Sequence, residues 1–186
     1  LEKYYTLDSA NSLFPFHVIT LRHHTPKQPE LAGFLNQIYP EGLSKHGYNY
    51  LYNPALFDDN HQRDKAFLIG LIFELVRRSD FPEKPSRYQS LFACREISEV
   101  KQFRELLARE RGDDGIRIAP IYEVRNEKPV HLGDMRLLDS NGPILDIYRQ
   151  AYLYWSGESL AYTNGEEPFW EILIPLPAKT GRRVSE

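Results

Sequence analysis

Cysteine is almost absent: Cys94 stands alone in 186 residues. A single thiol excludes an internal disulfide and any multi-cysteine zinc or iron–sulfur framework, and it suits a reducing compartment. Long apolar runs are missing too. The most apolar stretch, residues 66–76, is broken by Glu74 and falls short of the roughly 20 residues a bilayer demands, so it reads as a core helix and no membrane partner is expected. No basic region followed by an apolar stretch opens the chain, which leaves a cytoplasmic location as the expectation. Repeats, low-complexity tracts and Gly/Ser linkers are lacking, and residues 1–186 therefore read as a single domain. No strand leads into a Gly-x-Gly-x-x-Gly turn, which disfavours a dinucleotide-binding dehydrogenase. A nucleophile elbow is absent and Cys94 reads as buried, which disfavours a serine or cysteine hydrolase. His23 and His24 have no companion ligands at metal spacing, so no metal is assigned.

What the sequence has is an ordinary globular balance, with 41% hydrophobic and 26% charged residues. The net charge of -3 argues against a surface that grips nucleic acid everywhere, although Arg22, His23, His24 and Lys27 form a local patch able to meet phosphate. Aromatics are plentiful: 12 Tyr, 10 Phe and 2 Trp. Tyrosine suits pocket walls that are part apolar and part polar, and it equally suits a core whose hydroxyls reach the surface.

Hydrophobic periodicity and turn residues predict an α+β chain. Residues 4–7 and 17–22 read as strands, residues 25–64 as mostly loop with a helical piece at 31–39, and residues 65–79 as a helix apolar around most of its circumference. Residues 87–94 read as a buried strand feeding a helix that Ser98 can cap and Gly112 can stop. Two strands follow at 116–125 and 131–138, with Pro120 suggesting an edge or bulge in the first. Pro143 is placed as a first helical residue, and Ile144, Ile147, Tyr148, Ala151, Tyr154 and Trp155 recur at helical spacing up to Gly157. Residues 169–174 form the last strand, and the basic tail from Lys179 reads as loose.

One residue in that last strand needs explaining. Alternation puts Phe169, Glu171 and Leu173 on one face and Trp170, Ile172 and Ile174 on the other, so both faces are apolar and the strand reads as central. Burying an unpaired carboxylate costs several kcal/mol, which demands a cation, a donor or a proton at Glu171. A carboxylate at a pocket floor and a structural ion pair satisfy that demand equally well.

The segments Tyr4-Tyr5-Thr6, Gly42-Leu43-Ser44-Lys45-His46-Gly47, Ser86-Arg87-Tyr88-Gln89-Ser90-Leu91-Phe92, Tyr154-Trp155-Ser156-Gly157-Glu158 and Trp170-Glu171-Ile172-Leu173-Ile174-Pro175 together resemble a family of small bacterial single-domain proteins associated with the ADP-ribosyltransferase fold. Relatives of that fold include rifampin-modifying transferases and RNA 2′-phosphotransferases. The resemblance implies two small packed β-sheets with flanking helices and a cleft between the sheets for NAD, the co-substrate. It implies a mono-ADP-ribosyltransferase that modifies a macromolecule, RNA or protein, as the toxin of a toxin–antitoxin or anti-phage system with an antitoxin as possible partner. A non-catalytic binding module, an NAD glycohydrolase and an RNA 2′-phosphotransferase are the alternatives on the same architecture.

The family's three catalytic positions, carried across, fall at Thr6 or its neighbour Tyr5, at Tyr88 or Ser90, and at Glu171. Thr6 departs from the usual His, since it can donate to a ribose hydroxyl but offers no imidazole. Glu171 would stabilise the oxocarbenium-like cation that develops as nicotinamide leaves ribose. Tyr5 or Tyr88 would stack on the nicotinamide ring, or pack as ordinary strand residues. Ser44 and His46 lie in a Gly-flanked loop open to phosphate or ribose, which a plain turn also explains, and Arg87 reads as a diphosphate partner or a surface arginine.

Overall fold

The computed structural model describes residues 2–53, 61–139, 141–162 and 165–184. In chain order the main elements are β1 (Glu2–Leu7), β2 (Val18–Ile19), α1 (Pro29–Ile38), α2 (Lys45–Leu51), α3 (His61–Asp80), β3 (Ser90–Ala93), α4 (Ile97–Arg111), β4 (Ile121–Asn126), β5 (His131–Asp134), α5 (Ile144–Ser156), β6 (Trp170–Pro175) and β7 (Ala178–Arg183). The class is α+β. Its strands form two antiparallel sheets, one of four strands in the order β1-β4-β7-β2 and one of three in the order β3-β6-β5. No helix among the described residues is long and apolar enough to cross a membrane.

The sheets are packed through an apolar layer. Tyr4, Val124 and Ala178 of the larger sheet meet Ala93, Ile172 and Ile174 of the smaller one. Alternation then sends Leu173 and Phe92 to the opposite face of the smaller sheet, where they pack against Phe73 of α3 and Tyr154 and Trp155 of α5. At one edge the sheets are also stitched together: Tyr5 and Cys94 exchange backbone hydrogen bonds of 2.9 and 2.8 Å, and the Thr6 hydroxyl donates to the Phe92 carbonyl at 2.7 Å.

Several elements differ from the sequence expectation for local reasons. The strand expected at 87–94 opens as a 3-10 turn over Arg87–Gln89, because the Ser86 side chain caps it by accepting from the Tyr88 N–H. Glu96, not Ser98, caps α4, in a reciprocal box with Glu99. Pro143 precedes α5 as its cap residue. The tail expected to be loose is instead β7, in which Ala178 and Thr180 point inward and Lys179 outward, and the Thr180 hydroxyl ties it to the Phe14 carbonyl at 2.6 Å. Pro120 lies just ahead of β4, which is an inner strand carrying its irregularity between Tyr122 and Val124. Within the expected loop at 25–64, α2 was not foreseen, and residues 54–60 lie outside the described residues.

Candidate functional site

Glu171 sits on inner strand β6, 3% exposed, with its side chain on the face that looks toward α5. Two groups compensate it. The Arg87 guanidinium pairs with its Oε1, and the Tyr154 hydroxyl donates to the same oxygen at 2.7 Å while accepting from Arg87. Oε2 makes no hydrogen bond to any described residue, in a side chain that is only 4% exposed. The carboxylate is therefore anchored through one oxygen and leaves the other without a partner among the described residues.

Each partner is delivered by the fold. Arg87 is presented by the 3-10 turn and lies over the rings of Phe92 and Tyr154 at 4.7 and 5.3 Å, contacts that favour a desolvated cation. Burial works against its charge, but Glu171 and the Tyr154 phenol outweigh it and raise its pKa. Tyr154 comes from the inward face of α5, where burial, reinforced by the adjacent carboxylate, holds the phenol well above its ordinary pKa and thus protonated. It reaches Glu171 across Gly133, which is the β5 residue opposite Glu171; a Cβ at that position would lie 2.3 Å from the Tyr154 ring. Glycine here makes the contact possible.

An aromatic wall flanks this cluster. The half-buried His46 imidazole stacks on Tyr50 at 4.1 Å and meets Phe92 edge-on at 4.7 Å. Burial and the neighbouring Arg87 cation push its pKa down to about 3, so the ring is neutral at physiological pH. Both His46 and Tyr50 ride on α2, which is pressed onto the Arg87 turn so closely that a Cβ on Gly47 would lie 2.2 Å from the Tyr88 carbonyl oxygen. Wall and cation are thus held in one piece.

The remaining residues singled out from the sequence have other partners. Ser44 caps α2, accepting from the Gly47 N–H at 3.1 Å and donating to the Tyr88 carbonyl at 3.0 Å. The Ser90 hydroxyl donates to the Ser86 carbonyl at 2.7 Å, and that of Thr6 to Phe92. Tyr88 is 2% exposed in a cluster with Leu35, Tyr39 and Leu43, and Tyr5 packs beside Cys94, Val100 and Ile121. The structure therefore brings Glu171, Arg87 and His46 together and leaves Thr6, Tyr5, Tyr88, Ser90 and Ser44 with packing or backbone contacts. Cys94 is buried, and its thiol is pushed up to about 12 by that burial and by Glu99 and Glu171.

Sequence reasoning missed Tyr154 and Glu74. Tyr154 entered only as an apolar position of α5 and as the first residue of one resembling segment, with no role at the site. Glu74 had a clear signal, an acid interrupting residues 66–76: its Oε1 accepts from Tyr39, Arg77 and Arg78 and its Oε2 from Arg77 and Ser86. Through Ser86 it fixes the turn that presents Arg87.

The family model described as "Protein of unknown function (DUF2441)" matches residues 35–182, a span that holds every member of this cluster. No curated protein matches the chain.

Proposed function

The chain belongs to the DUF2441 family of proteins of unknown function, and from the chemistry of its site we propose that it is an NAD-dependent mono-ADP-ribosyltransferase acting on a macromolecule. The observation that carries this reading is the Glu171 Oε2, without a partner among the described residues, beside an anchored Oε1. A carboxylate with one fixed and one open oxygen is preorganised to accept a ribose hydroxyl and to face a developing positive charge.

The layer between the two sheets, where the nucleotide cleft was expected, is occupied by Tyr4, Val124, Ile172 and Ile174. The nucleotide site is accordingly assigned to the other face of the smaller sheet, bounded by Glu171, Arg87, His46, Tyr50 and Phe92. Aromatic faces suit the nicotinamide ring, an interaction worth roughly 0.5–2 kcal/mol, and the guanidinium suits anionic oxygen. In the reaction the bond between ribose C1′ and nicotinamide breaks, with its electron pair leaving on nicotinamide. The acceptor then bonds to C1′ and gives up a proton. Glu171 holds the ribose and stabilises the cationic centre, Arg87 and Tyr154 keep the carboxylate in place, and the neutral His46 ring closes one side against water. RNA and protein are both within the acceptor class. Consumption of NAD in the cytoplasm fits a toxin role under control of an antitoxin.

One observation favours a second reading, a non-catalytic module on the same fold: the Thr6 and Ser90 hydroxyls are already engaged by backbone carbonyls. Incubating the purified protein with labelled NAD and a cell extract separates the two. Transfer of label to RNA or protein is expected, with Glu171→Gln lowering it by about 10²–10³-fold. Nicotinamide release without a labelled product points to a glycohydrolase, and neither turnover nor binding of NAD overturns the enzymatic reading.

A further inference from the structure

Alternation along β1 turns Tyr4 into the layer between the sheets and Lys3 to the outer face of the larger sheet. Strand register carries that outer face across: Lys3 lies opposite Arg125 of β4, Arg125 opposite Lys179 of β7, and Lys179 opposite Val18 of β2. Three exposed cations therefore stand in one row, about 10 Å from first to last at the ~4.8 Å spacing of strands. Like charges directly opposed across a ladder destabilise a sheet. Glu123 relieves one of them by pairing with Lys3 at 3.0 Å, whereas Arg125 and Lys179 have no ion pair among the described residues. Glu2 does not help, since it lies on the side of Tyr4 and accepts from that hydroxyl. Helix α4 covers only the far end of this face, at Tyr5, Leu7 and Ile121. Where β2 meets β7, exposed rings border the row: Phe14 and Phe16 are 64% and 63% exposed. Both are fixed to β7, for the Phe14 carbonyl accepts from the Thr180 hydroxyl and the Phe16 N–H donates to the Gly181 carbonyl at 3.2 Å. Phe16 holds its place at a φ of 60°, a left-handed conformation costly for a bulky side chain, yet the residue stays mostly in solvent.

We propose that this outer face binds single-stranded RNA, with phosphates along Lys3, Arg125 and Lys179 and bases stacked on Phe14 and Phe16. Opposed cations and unburied rings each cost the free protein, and a single nucleic-acid strand satisfies both at once. A duplex hides the base faces that the rings would meet. An acidic peptide satisfies the cations and leaves the rings in water. Anionic membranes are gripped by clusters of about 4–8 Lys and Arg, more than this row holds. In naming RNA the inference rests on the transferase reading, whose acceptor class holds RNA and protein. The face is separate from the residues assigned to the ribose: Glu171 looks toward α5, and the packed pair of sheets, about 10 Å apart, lies between. It docks the acceptor and takes no part at the reacting atoms.

Fluorescence anisotropy of a labelled RNA about 15 nucleotides long against the full chain, without NAD, tests this. Binding is expected at about 50 mM salt, with a log–log salt slope of about -2 for three phosphate contacts. Arg125→Ala and Lys179→Ala should each weaken binding and flatten that slope by about 0.7. Because each also removes an opposed like charge, the unfolding midpoint should hold or rise. Phe16→Ala should weaken binding about 10-fold with the slope unchanged, since it removes stacking and no charge. Arg149→Ala, on exposed α5 surface across the molecule, should leave both unchanged. No binding up to about 100 μM protein overturns the inference. So do a duplex or a DNA strand bound more tightly than the RNA, phosphatidylserine vesicles bound in its place, or losses at Arg149→Ala equal to those at Arg125→Ala. RNA binding that follows these variants without any transfer of label from NAD fails the transferase reading alone. Transfer to RNA with binding undiminished in the Arg125→Ala, Lys179→Ala double variant fails the docking face alone.

Discussion

Among the described residues two glutamates are buried, Glu74 in α3 and Glu171 in β6, and each is met by arginine and tyrosine. Burial costs both carboxylates the same loss of hydration, yet they are compensated differently. Glu74 has both oxygens filled, by donors from α1's C-terminal side, from its own helix and from the segment ahead of Arg87. Glu171 has one oxygen filled twice and the other not at all. A saturated carboxylate is a joint that holds three parts of the chain together, and an unsaturated one in an aromatic surround is where a ligand gains most by arriving. The two acids differ in what their neighbours leave undone.

Substitution should separate them, and the largest effect is expected at the joint. Glu74→Gln leaves Arg77 partly buried without its countercharge and is expected to lower unfolding free energy by about 3–5 kcal/mol in urea titrations. A loss below about 1 kcal/mol would break the comparison, since Glu74 would then be no more structural than a surface acid. Acidification comes next and acts on the Glu171 side. Burial and the Lys84 charge push His131 down to about 4, and its ring nitrogen bonds the Tyr154 carbonyl at 2.9 Å. The unfolded chain takes up this proton near pH 6.5 and the folded one only near 4, so stability is full above about 6.5 and declines as pH falls toward 4, by on the order of 3 kcal/mol. His46, pushed down for a similar reason, acts in the same direction. Unfolding curves at pH 7 and 4.5 should converge for His131→Gln relative to wild type, and an unchanged pH slope would remove His131 from the account. The smallest effect sharpens the picture most: Tyr154→Phe deletes one donor to Oε1 and is expected to cost about 1–1.5 kcal/mol of stability while lowering NAD turnover by more than that destabilisation explains. Equal losses in both would make Tyr154 a packing residue.

Much of the architecture was legible in the sequence because it rests on period and punctuation. The inward face of α5 and the two-sided apolar character of β6 follow from local spacing, whereas α3, read as a core helix, buries Ile69, Phe73 and Val76 but leaves Leu68, Leu71 and Leu75 exposed. What escaped was set by partners distant in the chain. The basic tail gave no sign of the neighbours β4 and β2 that make it a strand, and α2 is a seven-residue helix whose Ser44 cap and Tyr88 contact outweigh its weak periodicity. The same holds for the site. Glu171 stood out as an acid in an apolar strand, but its partnership with Arg87 spans 84 positions and that with Tyr154 spans 17, distances over which composition carries no information. Thr6 and Ser90 stood as catalytic candidates through the family resemblance, and only the fold shows the carbonyls to which each donates.

Gly133 contributes no charge, no hydrogen-bonding side chain and no apolar surface, yet the phenol of Tyr154 passes over it to touch the acid. Adding a single methyl group there would wedge the ring aside and unfasten Oε1 from its neutral donor without altering one ionisable group. The anchoring of the carboxylate is thereby hostage to a clearance on the adjacent strand, and a side chain of one hydrogen atom governs how firmly the acid is held.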